Sequence, residues 1–177
     1  MAVDHVKSTY ITNMDASPAV IPTAGEGGPA PTKTVDGYAT AVASSSADAT
    51  YQLARIPSNA KVKSIIFESE AQAAGKFDLG LYYATDGVIG KTNALLAAAA
   101  IDQDFFATVI DCAAAVVPTE VVNESGTYTL DKRAQPIWQA VGLTSDPGGN
   151  FDIVATVKTT AVTTGTGKFG IRVVYTD

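Results

Sequence analysis

The central prediction for this chain comes from one segment, Tyr51-Gln-Leu-Ala-Arg-Ile-Pro-Ser-Asn-Ala-Lys-Val-Lys-Ser-Ile-Ile-Phe-Glu-Ser69. It predicts a strand, a Pro-Ser-Asn turn and a second strand. Pro57 fixes φ at the corner, and the side chains of Ser58 and Asn59 are suited to local hydrogen bonds with the turn backbone. The β-branched residues after the turn favour a strand over a helix, although their fit to a period of two is imperfect.

Further strand patterns follow along the chain. The segment Lys76-Phe-Asp-Leu-Gly-Leu-Tyr-Tyr83 places Phe77, Leu79 and Leu81 on one face, and it is the cleanest period-two pattern in the chain. Residues 151–160 and 169–175 predict a terminal hairpin with a Thr/Gly-rich loop. Short strands separated by turns predict an all-β fold, a β-sandwich, and we favour a jelly-roll connection.

One or two short helices are predicted within this sandwich. The segment 93–101 reads as a short helix with Asn93 as its N-cap. The segment 131–142 has apolar residues at helical spacing and ends at Gly142, while Pro136 restricts the helix to its later part or takes a first-turn position. Residues 104–111 fit a strand or a helix equally well.

The N-terminal residues differ from the remainder in composition. Residues 1–35 contain four of the eight prolines and no hydrophobic period after a possible short strand at residues 8–12. We therefore predict an extended Pro/Gly-rich N-terminal arm over residues 1–35 and a β-sandwich domain over residues 36–177. The arm is either a disordered leader or a segment that orders against a neighbouring subunit.

Composition argues against several classes of partner. The net charge of −6, with 12 basic residues scattered among 18 acidic ones, disfavours nucleic-acid binding. The longest apolar run, residues 94–101, is far shorter than the ~20 residues of a membrane-spanning helix. We expect a soluble protein without an export signal, and the single Cys112 excludes an intramolecular disulfide.

The sequence motifs that match catalytic or cofactor-binding patterns lack the surrounding structure that such chemistry requires. Gly165-Thr-Gly-Lys-Phe-Gly170 matches a dinucleotide-binding pattern, but a predicted strand follows it where that chemistry needs a helix N-terminus. The only histidine, His5, lies in the predicted arm. Cys112 lies in an apolar setting typical of a buried, inert thiol, so a Cys112–His5 pair is disfavoured.

Two carboxylate pairs, Glu68 with Glu70 and Asp102 with Asp104, have the i, i+2 spacing of one strand face. Paired carboxylates suit glycoside hydrolysis or calcium, but each pair lacks a third ligand. We interpret the first pair as a solvated strand edge and the second as a helix cap or turn. We predict no catalytic, cofactor-binding or metal-binding residues, no cofactor, and a protein that is not an enzyme.

Several blocks of this sequence resemble virion proteins of tailed bacteriophages. They are Tyr51 to Val62, Phe77-Asp-Leu-Gly-Leu-Tyr82, Asp102-Gln-Asp-Phe-Phe-Ala107, Ile137-Trp-Gln-Ala-Val-Gly-Leu143 and Phe151-Asp-Ile-Val-Ala-Thr-Val157. The similar proteins are small, accompany the major capsid protein, and include head decoration (cement) proteins. The resemblance spans residues 51–177 in scattered blocks and supplies no catalytic residues.

The resemblance implies a non-enzymatic virion structural protein that binds the outer capsid surface and stabilises joints between major capsid protein subunits. Its implied partners are the major capsid protein and further copies of itself, as a dimer or trimer, with no nucleic acid and no membrane. Its implied location is the capsid exterior after assembly in the host cytoplasm. The alternatives are another phage virion component, such as a tail or fibre-base protein, and a jelly-roll carbohydrate-binding module.

Overall fold

The computed structural model describes residues 5–17, 32–43, 45–73, 75–84, 100–158 and 167–177. Within these ranges the chain forms nine strands, two short α-helices and one 3-10 helix at Lys132–Ala134. The strands and α-helices are β1 (His5–Lys7), α1 (Thr9–Met14), β2 (Lys33–Thr40), β3 (Thr50–Pro57), β4 (Lys61–Ser69), β5 (Lys76–Tyr83), β6 (Ala100–Asp111), β7 (Val116–Glu120), α2 (Ile137–Ala140), β8 (Asn150–Val157) and β9 (Lys168–Thr176).

The strands form a five-stranded sheet, in the order β1-β3-β8-β5-β6, and a four-stranded sheet, in the order β2-β9-β4-β7. Strand β2 pairs with β9, β3 with β8, β4 with β7 and β5 with β6, each pair being antiparallel. This nested pairing is that of an antiparallel ribbon rolled into two sheets, which is the jelly-roll topology. The predicted all-β, β-sandwich fold is confirmed.

The predicted corner between residues 51 and 69 joins the two sheets. The amide of Ala60 donates to the carbonyl oxygen of Pro57 at 3.0 Å, which closes the turn. Strand β3 before the turn lies in the five-stranded sheet, and β4 after it lies in the four-stranded sheet. The chain therefore changes layer at this turn, and one segment contributes to both walls of the core.

Aromatic rings connect the two sheets inside the sandwich. The ring of Phe77 on β5 stacks on that of Phe169 on β9, with centroids 4.7 Å apart, and Tyr51 on β3 meets Phe169 edge-on at 5.1 Å. Phe77 and Tyr51 are fully buried, and Phe169 is nearly so. Each buried ring contributes on the order of 1.5–3 kcal/mol to folding, so this cluster is a major part of the core.

Two predictions about the second half of the chain were wrong in part. The predicted terminal hairpin does not exist as one, because β8 and β9 lie in different sheets. The predicted helix over residues 131–142 is reduced to α2, since Pro136 occupies its N-cap position and a separate 3-10 turn precedes it. Gly142, at φ +85°, follows the helix as predicted. Residues 104–111 belong to strand β6.

The predicted helix at residues 93–101 lies outside the described residues except for its last two, which belong to β6. The Pro/Gly-rich run at residues 18–31 also lies outside them. The described part of the predicted arm packs on the sandwich, where α1 replaces the predicted strand at residues 8–12 and Ser8 caps its N-terminus. Strand β2 begins at Lys33, within the predicted arm, and the division of the chain after residue 35 stays a prediction.

Candidate functional site

The outer face of the four-stranded sheet alternates between buried and exposed residues. Strand β2 shows this best, because every second side chain from Asp36 to Thr40 is exposed while those between are buried. The strand registers place the outward residues of β2, β9 and β4 side by side in rows. Two rows cross the middle of the face: Asp36, Arg172 and Ile66 form one, and Tyr38, Gly170 and Glu68 form the next.

These rows line an open groove of about 680 Å³. Gly170 forms part of its floor, and a Cβ at this position would lie 2.6 Å from the carbonyl oxygen of Gly37 and 3.0 Å from the Cβ of Tyr38. A larger residue would therefore push against the neighbouring strand. Tyr38 lies beside this gap with 53% of its surface exposed, which leaves an aromatic ring available to a partner.

Charges of both signs surround the groove. The Nε of Arg172 donates to Oδ1 of Asp36 at 2.7 Å, and this hydrogen bond raises the pKa of the guanidinium. The Oε2 of Glu70 accepts from the amide of Lys168 at 2.8 Å. Both members of the Arg172–Asp36 pair are more than half exposed, so salt screens their attraction and the pair contributes little to stability.

Strand β7 borders the groove and ends the sheet on that side. Within the described residues it pairs only with β4, and it is an end strand in the sheet order. Val117 on this strand is 73% exposed. Main-chain groups on the free side of an edge strand are able to pair with a strand from another chain.

The outer face of the five-stranded sheet has a different character. Arg55 is 2% exposed and Asp152 is fully buried, yet both are charged. The Nε of Arg55 donates to Oδ1 of Asp152 at 2.6 Å, and Gln52 donates to the other carboxylate oxygen at 2.7 Å. This face is polar but closed, so it offers no comparable open surface at these residues.

No protein-family model and no curated protein sequence matches this chain. In structure the chain is similar to a chain from the capsid of Ralstonia phage GP4, with a TM-score of 0.59 over 98% of this chain and 97% of that chain, at 14% sequence identity. At this identity the similarity shows a shared fold.

Two further structures match less well. A chain of the cyanophage Pam1 capsid asymmetric unit has a TM-score of 0.47 at 13% identity, covering 92% of this chain and 96% of that chain. A chain of the acidic stable capsid of Helicobacter pylori bacteriophage KHP30 has a TM-score of 0.42 at 14% identity, covering 84% of this chain and 89% of that chain. TM-scores below 0.5 do not by themselves establish a shared fold.

The carboxylates singled out in the sequence lie in two separate places. Glu68 and Glu70 are both exposed and both line the groove. Asp102 and Asp104 lie in β6, not in the expected turn or cap, and the Asp104 amide donates to Oδ1 of Asp102 at 3.3 Å. Burial and a side-chain hydrogen bond with Asp104 raise the pKa of Asp102. In the described part of the chain, no group of three or more His, Cys, Asp or Glu side chains is placed to hold a metal ion.

The two residues of the disfavoured thiol–imidazole pair lie far apart in the fold. His5 is in β1 and Cys112 directly follows β6, and these strands are at opposite edges of the five-stranded sheet. Cys112 is fully buried, and burial raises the pKa of its thiol to about 11. The expectation of a buried thiol is confirmed.

No described helix has the length and apolar character needed to cross a bilayer.

Sequence reasoning missed Tyr38 and Arg172 as members of one surface. Both occupy outward positions of strands, which period-two alternation could have indicated. Their proximity depends on the pairing of β2 with β9, whose residues are more than a hundred positions apart in the chain. That register is not encoded locally.

Proposed function

We propose that this chain is a non-enzymatic structural protein of a tailed-bacteriophage virion, which binds the outer capsid surface and stabilises joints between major capsid protein subunits. The observation that carries the proposal is the shared jelly-roll fold with the chain from the Ralstonia phage GP4 capsid, which extends over almost the full length of both chains. The resemblance of the sequence blocks to head decoration proteins supports the same function.

The groove on the four-stranded sheet is the proposed contact surface for the major capsid protein. It combines an exposed aromatic ring, an exposed ion pair and the end strand β7, which within the described residues pairs only with β4, whereas the opposite face is closed at its charged residues. Interfaces concentrate their binding energy in aromatic and arginine side chains. Tyr38 and Arg172 are therefore the side chains on which attachment is expected to depend most.

Attachment through several copies would strengthen these contacts. We expect the protein to act as a homo-oligomer. Once the groove of one subunit is bound to the capsid, the grooves of the other subunits are held at a high effective concentration near their own capsid sites. Under this proposal the protein is located on the capsid exterior and joins the particle in the host cytoplasm. Joints held by many modest contacts resist the outward pressure of packaged DNA.

The proposal is tested by adding purified protein to capsids that lack it. Saturable uptake is expected, and Tyr38→Ala should weaken it about tenfold or more, in line with the loss of a central aromatic contact. Leu130→Ala is the matched control, because Leu130 is 78% exposed but does not line the groove. Absence of saturable uptake by the unchanged protein contradicts the capsid-binding function.

A jelly-roll carbohydrate-binding module is the alternative that one observation favours. An exposed tyrosine beside carboxylates in an open groove also suits the apolar face and hydroxyl groups of a sugar. A glycan array separates the two functions: specific glycan binding that Tyr38→Ala abolishes favours the module. Localisation to the tail in immunoelectron micrographs of virions would instead favour a tail or fibre-base component.

A further inference from the structure

Residues 5–17 occupy a defined docking surface on the five-stranded sheet. Strand β1 is the end strand of this sheet and pairs in parallel with β3, with His5 opposite Thr50 and Lys7 opposite Gln52. After β1, the amide of Ser8 donates to the carbonyl oxygen of Gln52 at 2.6 Å, and the Ser8 hydroxyl donates to that of Leu53 at 2.8 Å. The segment therefore extends the sheet in the way an added peptide strand does.

A buried arginine holds the far end of the same segment. The Nη1 of Arg55 donates to Oδ1 of Asp15 at 2.6 Å, while its Nε donates to Oδ1 of Asp152 on β8 at 2.6 Å. Lys7 adds a second contact to Asp15, at 2.6 Å. Arg55 thus bridges a carboxylate of the docked segment and a carboxylate of the sheet, and this geometry specifies both the position and the direction of the segment.

Two described apolar side chains of this segment are buried or partly buried. Ile11 is fully buried and lies outside the main core cluster, and Val6 is partly buried against that cluster. The polar contacts of the segment are main-chain pairing, hydrogen bonds of hydroxyl groups and ion pairs. Neither Ile11 nor Val6 belongs to the aromatic cluster that joins the two sheets.

The chain that connects this segment to the sandwich is longer than the connection requires. Helix α1 contacts β2, yet residues 18–31 and their flanks separate the two elements. Neighbouring elements are commonly joined by about 2–6 residues. Fully extended, the fourteen residues from 18 to 31 would span roughly 45–50 Å.

We propose that, when copies of this chain assemble, the docking surface formed by β3 and Arg55 binds residues 5–17 of a second copy. Neighbouring subunits then exchange N-terminal segments through contacts identical to those made within one chain. This inference names the partner surface for the oligomer that the proposed function includes. It does not depend on capsid binding, and neither does its test.

The test uses two chains with different tags, one carrying His5→Cys and the other Thr50→Cys, expressed together and then oxidised. These positions are register partners, and paired strands bring them within the Cα separation of a disulfide. A disulfide between the two chains forms only if the segment of one docks on the other. We expect a reducible band at dimer mobility that contains both tags.

The matched control places Asp36→Cys and Arg172→Cys on separate chains. They are register partners within the sandwich, so they should give no band that contains both tags. Cys112 is common to all chains and is a poor competitor, because it is buried and its thiol pKa is raised to about 11. The proposal is overturned if the mixed His5→Cys and Thr50→Cys chains show no shared band while one chain with both substitutions forms the disulfide internally.

A second measurement decides the case if neither arrangement forms a disulfide. Light scattering after size exclusion should show that the full chain self-associates. The Asp15→Lys chain should be monomeric, because a lysine at this position would repel the guanidinium of Arg55 and undock the segment. A full chain that is monomeric at every concentration, or an Asp15→Lys chain that associates as the unchanged chain does, overturns the proposal. Capsid uptake can succeed or fail independently of these results.

Discussion

The two outer faces of the sandwich both carry polar residues, but these residues are exposed on one face and buried on the other. On the four-stranded sheet, polar side chains such as Asp36 and Glu68 alternate with buried apolar ones and face an open groove. On the five-stranded sheet, Arg55, Asp78 and Asp152 are also in strands, but all three are buried. Polarity at alternate strand positions therefore does not distinguish a solvent-exposed face from a covered one.

The cover on the five-stranded sheet is itself visible in the structure. Residues 5–17 close the end near Arg55, and the backbone of β6 crosses over Gly80 at the other end. A Cβ at Gly80 would lie 2.2 Å from the carbonyl oxygen of Gln103, so that position admits no side chain. Near it, Lys158 pairs with Asp78 at 2.7 Å. A charged side chain on a closed face needs an oppositely charged or hydrogen-bonding partner, whereas a charged side chain on an open face is solvated by water.

The largest difference in stability between the two faces is expected when one charged residue of an ion pair on each face is replaced by alanine. Asp152→Ala should lower the free energy of unfolding by about 3–5 kcal/mol, because it leaves Arg55 buried with one carboxylate fewer. Asp36→Ala on the open face should leave unfolding unchanged within error. Urea denaturation of both variants measures the contrast, and equal effects would show that the two faces are not energetically distinct.

A smaller difference is expected from removing one hydroxyl on each face. Tyr82 is fully buried, and its hydroxyl lies 2.8 Å from that of Thr156. Tyr82→Phe should destabilise the protein by about 1–2 kcal/mol, because the Thr156 hydroxyl loses a buried partner. Tyr38→Phe removes an exposed hydroxyl and should not move the thermal midpoint. A thermal scan in which both variants behave alike would contradict the assignment of Tyr82 to a closed face.

The smallest effect concerns acid and the docked N-terminal segment. Burial raises the pKa of Asp15, but its hydrogen bonds with Lys7 and Arg55 outweigh this, so the pKa lies below its usual 3.8. A lowered folded-state pKa means that the docking contribution is complete above pH 3.8 and is lost as pH falls through the lowered value. The closed face should therefore open locally in strong acid.

This acid response can be followed through the methyl resonances of Ile11, which belongs to the docked segment and is fully buried. The resonances should shift as pH falls below about 3.8, and Asp15→Asn should remove that dependence by replacing the titrating group. The same titration in the Asp15→Asn chain would assign the effect to another carboxylate.

Much of the fold follows from local pattern, and the corner at residues 51–69 shows why. Pro57 and the β-branched residues of β4 act over a few positions, so both strands and the turn were predictable. The alternation of Phe77, Leu79 and Leu81 likewise predicted β5. Local pattern misled at residues 8–12, where the Ser8 cap stabilises a helix turn, and at β8 and β9, where adjacency along the chain suggested a hairpin.

The burial of polar residues was not predictable for a physical reason. Arg55 and Asp152 are 97 positions apart, and their pairing exists only after β3 aligns with β8. The exposed pair of Asp36 and Arg172 was unpredictable for the same reason, because these residues are 136 positions apart and meet only when β2 pairs with β9. Glu68 and Glu70, by contrast, are two positions apart in the sequence, so their shared place in the lining of the groove was predictable from local spacing.

The nested pairing of the strands has a consequence for how the protein is made. Strand β9 lies between β2 and β4 in the four-stranded sheet, but the ribosome synthesises it after both of them. Until β9 emerges, β2 and β4 have no common neighbour, and their unpaired edges are exposed to aggregation. Five residues of β9 line the groove, so a chain interrupted before β9 lacks the groove.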